Sequence, residues 1–351
     1  MSEKVIMKGN EALAEAAIRA GCRCFFGYPI TPQTEVAAYM SKAMPKIGGV
    51  YLQAESEIAA INMIYGASAS GVRCMTSSSS PGISLKAEGI SYICGADLPA
   101  VIVNMTRGGP GLGGIQPAQS DYYQATRGIG HGDARLLVFA PAGIQEMVDL
   151  MTDAFDKADE YRMPAMILGD GAIGQMMEPV LLPEPKAHLI EKPWATNGTN
   201  MSRPHNIVNS LYLQPDALEE NVRARFARYA KIEATEARCE EYMADDADVI
   251  VVSYGISSRI AKSAIKRARA EGIRAGLLRP ITLWPFPKET LRKHAPHAKA
   301  FLDVELNMGQ MIDDVRLAIE CARPVEFAGR TGGIIITPDE VLAKLREMEG
   351  K

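Results

Sequence analysis

The chain has 351 residues, 47% of them hydrophobic and 23% charged, a balance that excludes a disordered chain and fits one large or two ordinary folded domains. Lys plus Arg number 38 against 42 Asp plus Glu, and the net charge of -4 excludes the cationic surface that draws nucleic acid. No run approaches the roughly 18 apolar residues that span a bilayer, and a start carrying Lys4, Lys8 and Glu11 lacks the core of a signal peptide, so the chain reads as cytoplasmic, with neither nucleic acid nor membrane as partner.

From residue 5 to about 170, short apolar runs alternate with amphipathic stretches. Strands are predicted at 24–27, 50–53, 73–76, 100–105, 136–139 and 165–168, and helices at 10–20, 33–43, 57–69, 83–95, 120–127 and 144–160. That alternation predicts, for residues 1–175, an α/β domain with a parallel sheet covered on both faces. Its functional loops should gather at the carboxyl ends of the strands. Pro179, Pro183, Pro185, Pro193 and Pro204 then break the rhythm, so 176–245 reads as a linker over a surface, with a charged helical piece from about 217 to 243. Strands return at 248–253, 275–278, 300–304 and 325–327, and a helix at 340–349 closes a smaller α/β domain, 246–351.

Four loops at strand ends carry candidate chemistry. Gly27-Tyr28-Pro29-Ile30-Thr31-Pro32 leads into a helix, which Thr31 either caps or leaves with its hydroxyl turned to a ligand. Glu55-Ser56-Glu57 opens the next helix. Glu57 enters the apolar run Ile58-Ala59-Ala60-Ile61, which predicts burial. Its carboxylate is either a first-turn residue favoured by the helix dipole or a group kept dry for proton chemistry. Thr76 to Gly82 lacks the glycine spacing and lysine of a P-loop and reads as a hydroxyl-lined loop. The stretch from Asn104 to Gly114 follows an apolar strand; its glycines allow close backbone approach to a ligand. Arg107 there is either a fork for a carboxylate or phosphate, or a surface arginine on a flexible loop.

Cys22, Cys24, Cys74, Cys94, Cys239 and Cys321 form no C-x-x-C pair, so buried structural thiols are expected and no metal ligand set on this chain. No G-x-G-x-x-G follows a predicted strand, which argues against a nicotinamide-binding dehydrogenase, and Tyr254-Gly255-Ile256-Ser257-Ser258 is only a lone strand–Gly–helix turn.

Taken together, Gly-Tyr-Pro-Ile-Thr-Pro at 27–32, Glu-Ser-Glu at 55–57, Arg-Gly-Gly-Pro at 107–110 and Glu-Leu-Asn-Met-Gly-Gln at 305–310 resemble the alpha subunit of 2-oxoacid:ferredoxin oxidoreductases. Leu278-Arg279-Pro280 and Trp284-Pro285 fit that family's second domain, and the Gln-Ala-Glu-Ser-Glu and Thr-Arg-Gly-Gly-Pro-Gly-Leu-Gly-Gly stretches look most like the 2-oxoisovalerate enzyme. The resemblance implies a pyrimidine-type, three-layer thiamine diphosphate-binding domain followed by a transketolase C-terminal-like domain. It implies a catalytic subunit that oxidatively decarboxylates a branched-chain 2-oxo acid, with coenzyme A as acyl acceptor and ferredoxin as electron acceptor. A beta subunit would hold the diphosphate and Mg2+, 4Fe-4S clusters would sit on partners, and gamma and ferredoxin-like subunits would complete the complex.

By the same resemblance, Glu57 would bond the aminopyrimidine nitrogen that prepares the cofactor to lose a proton, with Glu55 as the fallback. Thr31 and Arg107 would be catalytic and would meet the substrate with Gly108 and Gly109, while Thr31, Pro29 and Ser79 would join Glu57 at the cofactor. Gly169-Asp170-Gly171 with Asn197 downstream imitates the thiamine-enzyme metal signature, but the intervening prolines make it a helix-closing loop instead. Residues 108–119 contain no Lys or Arg, which favours an uncharged substrate side chain over 2-oxoglutarate. The remaining alternatives are a 2-oxoglutarate or pyruvate enzyme and a non-catalytic assembly module.

Overall fold

Three of the longer strands of the first half, Cys74–Ser78, Ala100–Thr106 and Pro164–Asp170, are buried at every residue. Their runs lack polar alternation because helices cover them on both sides. The computed structural model describes residues 4–127 and 129–350, so the outermost residues of both expected domains lie outside it. The three strands centre a seven-stranded sheet in the order Thr282–Trp284, Leu137–Phe139, Pro164–Asp170, Ala100–Thr106, Cys74–Ser78, Cys24–Gly27, Val50–Gln53. All its pairings are parallel except that of Thr282–Trp284. Helices Gly9–Arg19 and Ile144–Tyr161 pack on each other, as do Glu57–Ala69 and Ser80–Gly95, giving the expected layered α/β unit.

The second sheet has five strands in the order Val325–Gly329, Ala300–Glu305, Val249–Val252, Ala275–Pro280, Cys239–Tyr242, the last of them antiparallel. Two strands cross the boundaries read from the sequence. Cys239–Tyr242 comes from the span read as linker, and Thr282–Trp284 leaves the second domain's sequence to extend the first sheet. The proline-rich stretch does run over the first domain's surface: the Lys186 amide bonds the Arg19 carbonyl (2.8 Å) and the Thr196 amide that of Ala69 (2.8 Å). A further two-stranded pair, Val5–Lys8 with Met177–Val180, was not predicted.

Gln119 fastens the two sheets together. Its side chain donates to the Tyr254 carbonyl (2.8 Å) and accepts from the Ser257 hydroxyl (2.9 Å) and the Leu306 amide (3.0 Å). Its own carbonyl accepts from Asn307 Nδ2 (2.8 Å). Glu305 folds the adjoining segment by accepting the amides of Gln310 and Met311, each at 2.8 Å. The motifs at 254–258 and 305–310 therefore serve the domain junction. Each such buried bond adds only about 1 kcal/mol net, but losing one partner strands several others at once.

Candidate active site

The carboxyl ends of the parallel strands Cys24–Gly27, Val50–Gln53, Cys74–Ser78, Ala100–Thr106 and Pro164–Asp170 lie along one edge, and every candidate side chain follows one of them. Glu57 is the first residue of helix Glu57–Ala69, whose start is capped by Ser56 Oγ accepting from the Ala59 amide (3.2 Å). Glu57 is a buried residue, and no hydrogen bond within the described residues holds its carboxylate. Glu55 is exposed and accepts from Ser56 Oγ (2.9 Å), which removes it as the dry carboxylate.

Glu57 lies against Gly82, on helix Ser80–Gly95. A Cβ placed on Gly82 would stand 2.7 Å from Glu57 Oε1 and overlap Ser78 Oγ. Ser78 Oγ and Ser79 Oγ are both buried without a hydrogen-bond partner among the described residues. The helix starts three residues before the predicted Ile83, because Pro81 suits its first turn.

Arg107 is buried, which rules out the surface-arginine alternative. Its amide bonds Ser80 Oγ (3.1 Å), Nη1 donates to the Thr31 carbonyl (2.9 Å) and Nη2 to the Leu112 carbonyl (3.1 Å). Nε is buried and has no partner among the described residues, so the guanidinium, held by neutral carbonyls, has one donor unused. Thr31 does not cap a helix: the helix runs Thr34–Ala43 with Gln33 ahead of it, and Thr31 is exposed in the turn before it. Pro29 is exposed too.

The glycine loop is ordered rather than loose. The Gly114 amide bonds the Gly108 carbonyl (2.9 Å) and the Gly108 amide that of Gln116 (3.0 Å). Gly113 adopts φ +59° with its Cα against that same carbonyl, so no side chain fits there. Two cavities flank the loop. One of about 420 Å³ is lined by Thr31, Pro32, Ile115, Gln116 and Gly171. The other, of about 690 Å³, is lined by Ser80, Gly108, Gly109, Asp121, Asn307 and Gln310 and thus lies between the domains.

Asp170 corrects one expectation. It ends strand Pro164–Asp170 and opens helix Gly171–Gln175, so it closes no helix. Its carboxylate accepts the amides of Ala172 and Ile173 (3.0 Å each) and of Ile256 (3.1 Å), which commits both oxygens to structure. Burial raises its carboxyl above the usual range, against the pull of those amides. Asn197 is engaged by Arg203 at 2.8 Å, far along the wrapping segment. Among the described residues, Glu241, Asp245 and His294 form the one grouping with metal-ligand spacing, and Glu241 there is already paired with His294 (2.6 Å) and Lys293 (3.0 Å). All six cysteines are free; Cys22, Cys74 and Cys94 are buried as expected, whereas Cys321 is exposed.

Sequence reading missed Lys86, fully buried with Nζ donating to Thr76 Oγ1 (3.1 Å), and Asp121, which accepts from Asn104 Nδ2 (2.9 Å) beside the interdomain cavity. Burial raises the Asp121 carboxyl, with the Asn104 bond opposing it.

The profile of the pyruvate flavodoxin/ferredoxin oxidoreductase family, thiamine diphosphate-binding, matches residues 15–244, and that of pyruvate:ferredoxin oxidoreductase core domain II matches residues 247–341. Ketoisovalerate oxidoreductase subunit VorB of Methanothermobacter thermautotrophicus is 51% identical over 346 residues, covering 98% of each chain. The 2-oxoglutarate synthase subunit KorA of Methanothermobacter marburgensis is 35% identical over 379 residues, covering 99% of this chain and 100% of its own. A solved 2-oxoglutarate:ferredoxin oxidoreductase from Magnetococcus marinus, with 2-oxoglutarate, coenzyme A and succinyl-CoA bound, superposes with a TM-score of 0.85 at 26% identity. That match covers 99% of this chain but only 65% of the Magnetococcus chain.

Proposed function

The chain belongs to the pyruvate flavodoxin/ferredoxin oxidoreductase family, and we propose that it is the subunit of a branched-chain 2-oxoacid:ferredoxin oxidoreductase that holds the aminopyrimidine half of thiamine diphosphate. The observation that carries this reading is a buried glutamate, Glu57, whose carboxylate has no hydrogen bond among the described residues, set beside the buried, unpartnered hydroxyl of Ser78. Buried polar atoms are normally satisfied, so such a cluster fits a ligand that completes it. Gly82 supplies the room, since any side chain there would take the space of the carboxylate.

Thiamine diphosphate, when bound, supplies the carbon nucleophile that adds to the 2-oxo acid and the electron sink for decarboxylation. Glu57 shares a proton with the pyrimidine ring nitrogen, and burial strengthens that bond. Ser79 and the turn at Pro29 and Thr31 border the same edge. Arg107 offers its free Nε side to the substrate carboxylate, steadied from behind by the Thr31 and Leu112 carbonyls. Neutral backing suits the task, because a carboxylate about to leave as carbon dioxide gains nothing from being gripped in the ground state. Gly108 and Gly109 leave space beside it.

The same reading places the diphosphate and Mg2+ on a beta subunit, since Asp170 has no oxygen to spare. It places 4Fe-4S clusters on partner chains, as the free cysteines here lack cluster spacing. Exposed Val50 and Leu52 on the outermost strand of the large sheet, with Ile58 and Leu85 on the helices that frame Glu57, offer an apolar face for that subunit. Gamma and ferredoxin-like subunits, ferredoxin and coenzyme A complete the proposed assembly, in the cytoplasm. Among the described residues no helix is long and apolar enough to cross a membrane.

For the substrate, the loop beyond Arg107 presents Leu112 and Ile115, exposed by 84% and 59%, and no cation from 108 to 119. The stronger likeness to the ketoisovalerate subunit supports the same choice. With the assembled complex, kcat/KM for 2-oxoisovalerate should exceed that for 2-oxoglutarate and pyruvate by at least about tenfold, the discrimination that one or two buried methyl groups provide. A preference for 2-oxoglutarate would overturn the substrate assignment, and no turnover of any of the three would favour an assembly module.

A further inference from the structure

Helix Ser80–Gly95 carries a lysine that the chemistry above does not use. Lys86 is fully buried, and its one hydrogen bond goes to a neutral hydroxyl, Thr76 Oγ1 at 3.1 Å. No carboxylate among the described residues lies within salt-bridge distance of it. A buried ammonium so thinly supported is costly unless a nearby charge favours it.

The fold brings one such charge. Lys86 stands four residues after Gly82, hence one turn along the same helix face, and Gly82 is the residue against which the Glu57 carboxylate lies. The other ionisable groups near the start of this helix are turned elsewhere: Asp121 to Asn104, and Arg107 to the Thr31 and Leu112 carbonyls. Thr76 and Ser78 on the strand beneath carry no charge. Glu57 is accordingly the charged group that acts on Lys86.

We infer that Lys86 is a positioning residue for Glu57, its buried ammonium holding the carboxylate in place toward the aminopyrimidine. The inference rests on the assignment of Glu57 made above. Burial pushes the Lys86 ammonium down to about 8, opposed by the Glu57 charge, so the support it gives should fade in mild alkali. Loss of the ammonium removes the attraction that helps hold the carboxylate in this orientation.

The test uses the assembled complex carrying Lys86→Met, Lys86→Arg or Glu57→Gln. Assembly is followed by size-exclusion analysis, thiamine diphosphate affinity by calorimetry, and kcat/KM against pH. Lys86→Met should lower kcat/KM roughly tenfold at neutral pH and abolish the fall in kcat/KM that wild type shows through the alkaline range. Lys86→Arg, charged throughout, should keep the acid limb in place and carry activity about one unit further into alkali. Undiminished kcat/KM with a wild-type alkaline limb in assembled Lys86→Met overturns the inference. Should that variant fail to assemble, an alkaline limb unchanged in Lys86→Arg overturns it equally. Full activity in Glu57→Gln would instead sink the assignment of Glu57, an outcome the Lys86 variants alone cannot produce.

Discussion

Glu57→Gln is expected to leave the complex assembled and to lower 2-oxoacid-dependent ferredoxin reduction by at least about a hundredfold, the lower range for loss of a positioned proton-transfer group. The exchange is nearly isosteric. Because Glu57 makes no hydrogen bond among the described residues, the exchange breaks none and takes from the apo fold only the charge that faces Lys86. What disappears is the shared proton, and a neutral amide in the same place cannot stabilise charge on the ring nitrogen. Steady-state ferredoxin reduction alongside size-exclusion analysis separates the two effects. Activity within threefold or so of wild type would remove Glu57 from the chemistry.

The second large effect should come from a residue with no functional group at all. Gly82→Ala adds a single methyl at a helical position where alanine is otherwise favoured by about 1 kcal/mol. Here that methyl would stand 2.7 Å from Glu57 Oε1 and collide with Ser78 Oγ. Something must shift, and the side chains at stake are the carboxylate and an unpartnered hydroxyl. Overpacking of this kind costs about 1–3 kcal/mol of stability. Displacing the carboxylate by about 1 Å should cost on the order of a hundredfold in kcat/KM. The expected result is therefore a Tm lowered by only a few degrees with activity nearly lost. A Gly82→Ala complex of normal activity would show that Glu57 does not work from the position described.

The pattern of loss in these variants reflects what a linear sequence discloses. Glu57 was legible because an acid opening a run as apolar as Ile58-Ala59-Ala60-Ile61 has nowhere to go but inside. Arg107 was legible as a strand-end arginine ahead of a glycine loop, though not that backbone carbonyls would hold it. Lys86 was not. Flanked by Leu85, Ala87 and Glu88, it reads as an ordinary polar position of an amphipathic helix, and only the packing of helix Ser80–Gly95 on Glu57–Ala69 and the sheet shows that it is sealed. Gly82 reads as a helix opener for the same reason.

Topology was legible wherever alternation was strong. The missed pieces were short or polar: Val5–Lys8, Met177–Val180, and Cys239–Tyr242 with its two glutamates, whose strand character comes from a neighbour rather than from local pattern. Thr282–Trp284 is three residues long, too few for any period to speak. Gln119, a lone glutamine in a loop, ties both sheets together through partners 135 to 188 positions away. Asp170 resembled a metal signature in its letters, but the amides it caps decide its role.

One measurement tests the half-site most directly: calorimetric binding of thiamine diphosphate with Mg2+ to this chain alone and to the assembled complex, each with and without Glu57→Gln. Tight binding is expected only in the complex, at least about a hundredfold weaker, or about 2.7 kcal/mol, in the lone chain and loosened by Glu57→Gln. A folded lone chain that bound the cofactor as tightly as the complex, indifferent to Glu57, would contradict the half-site.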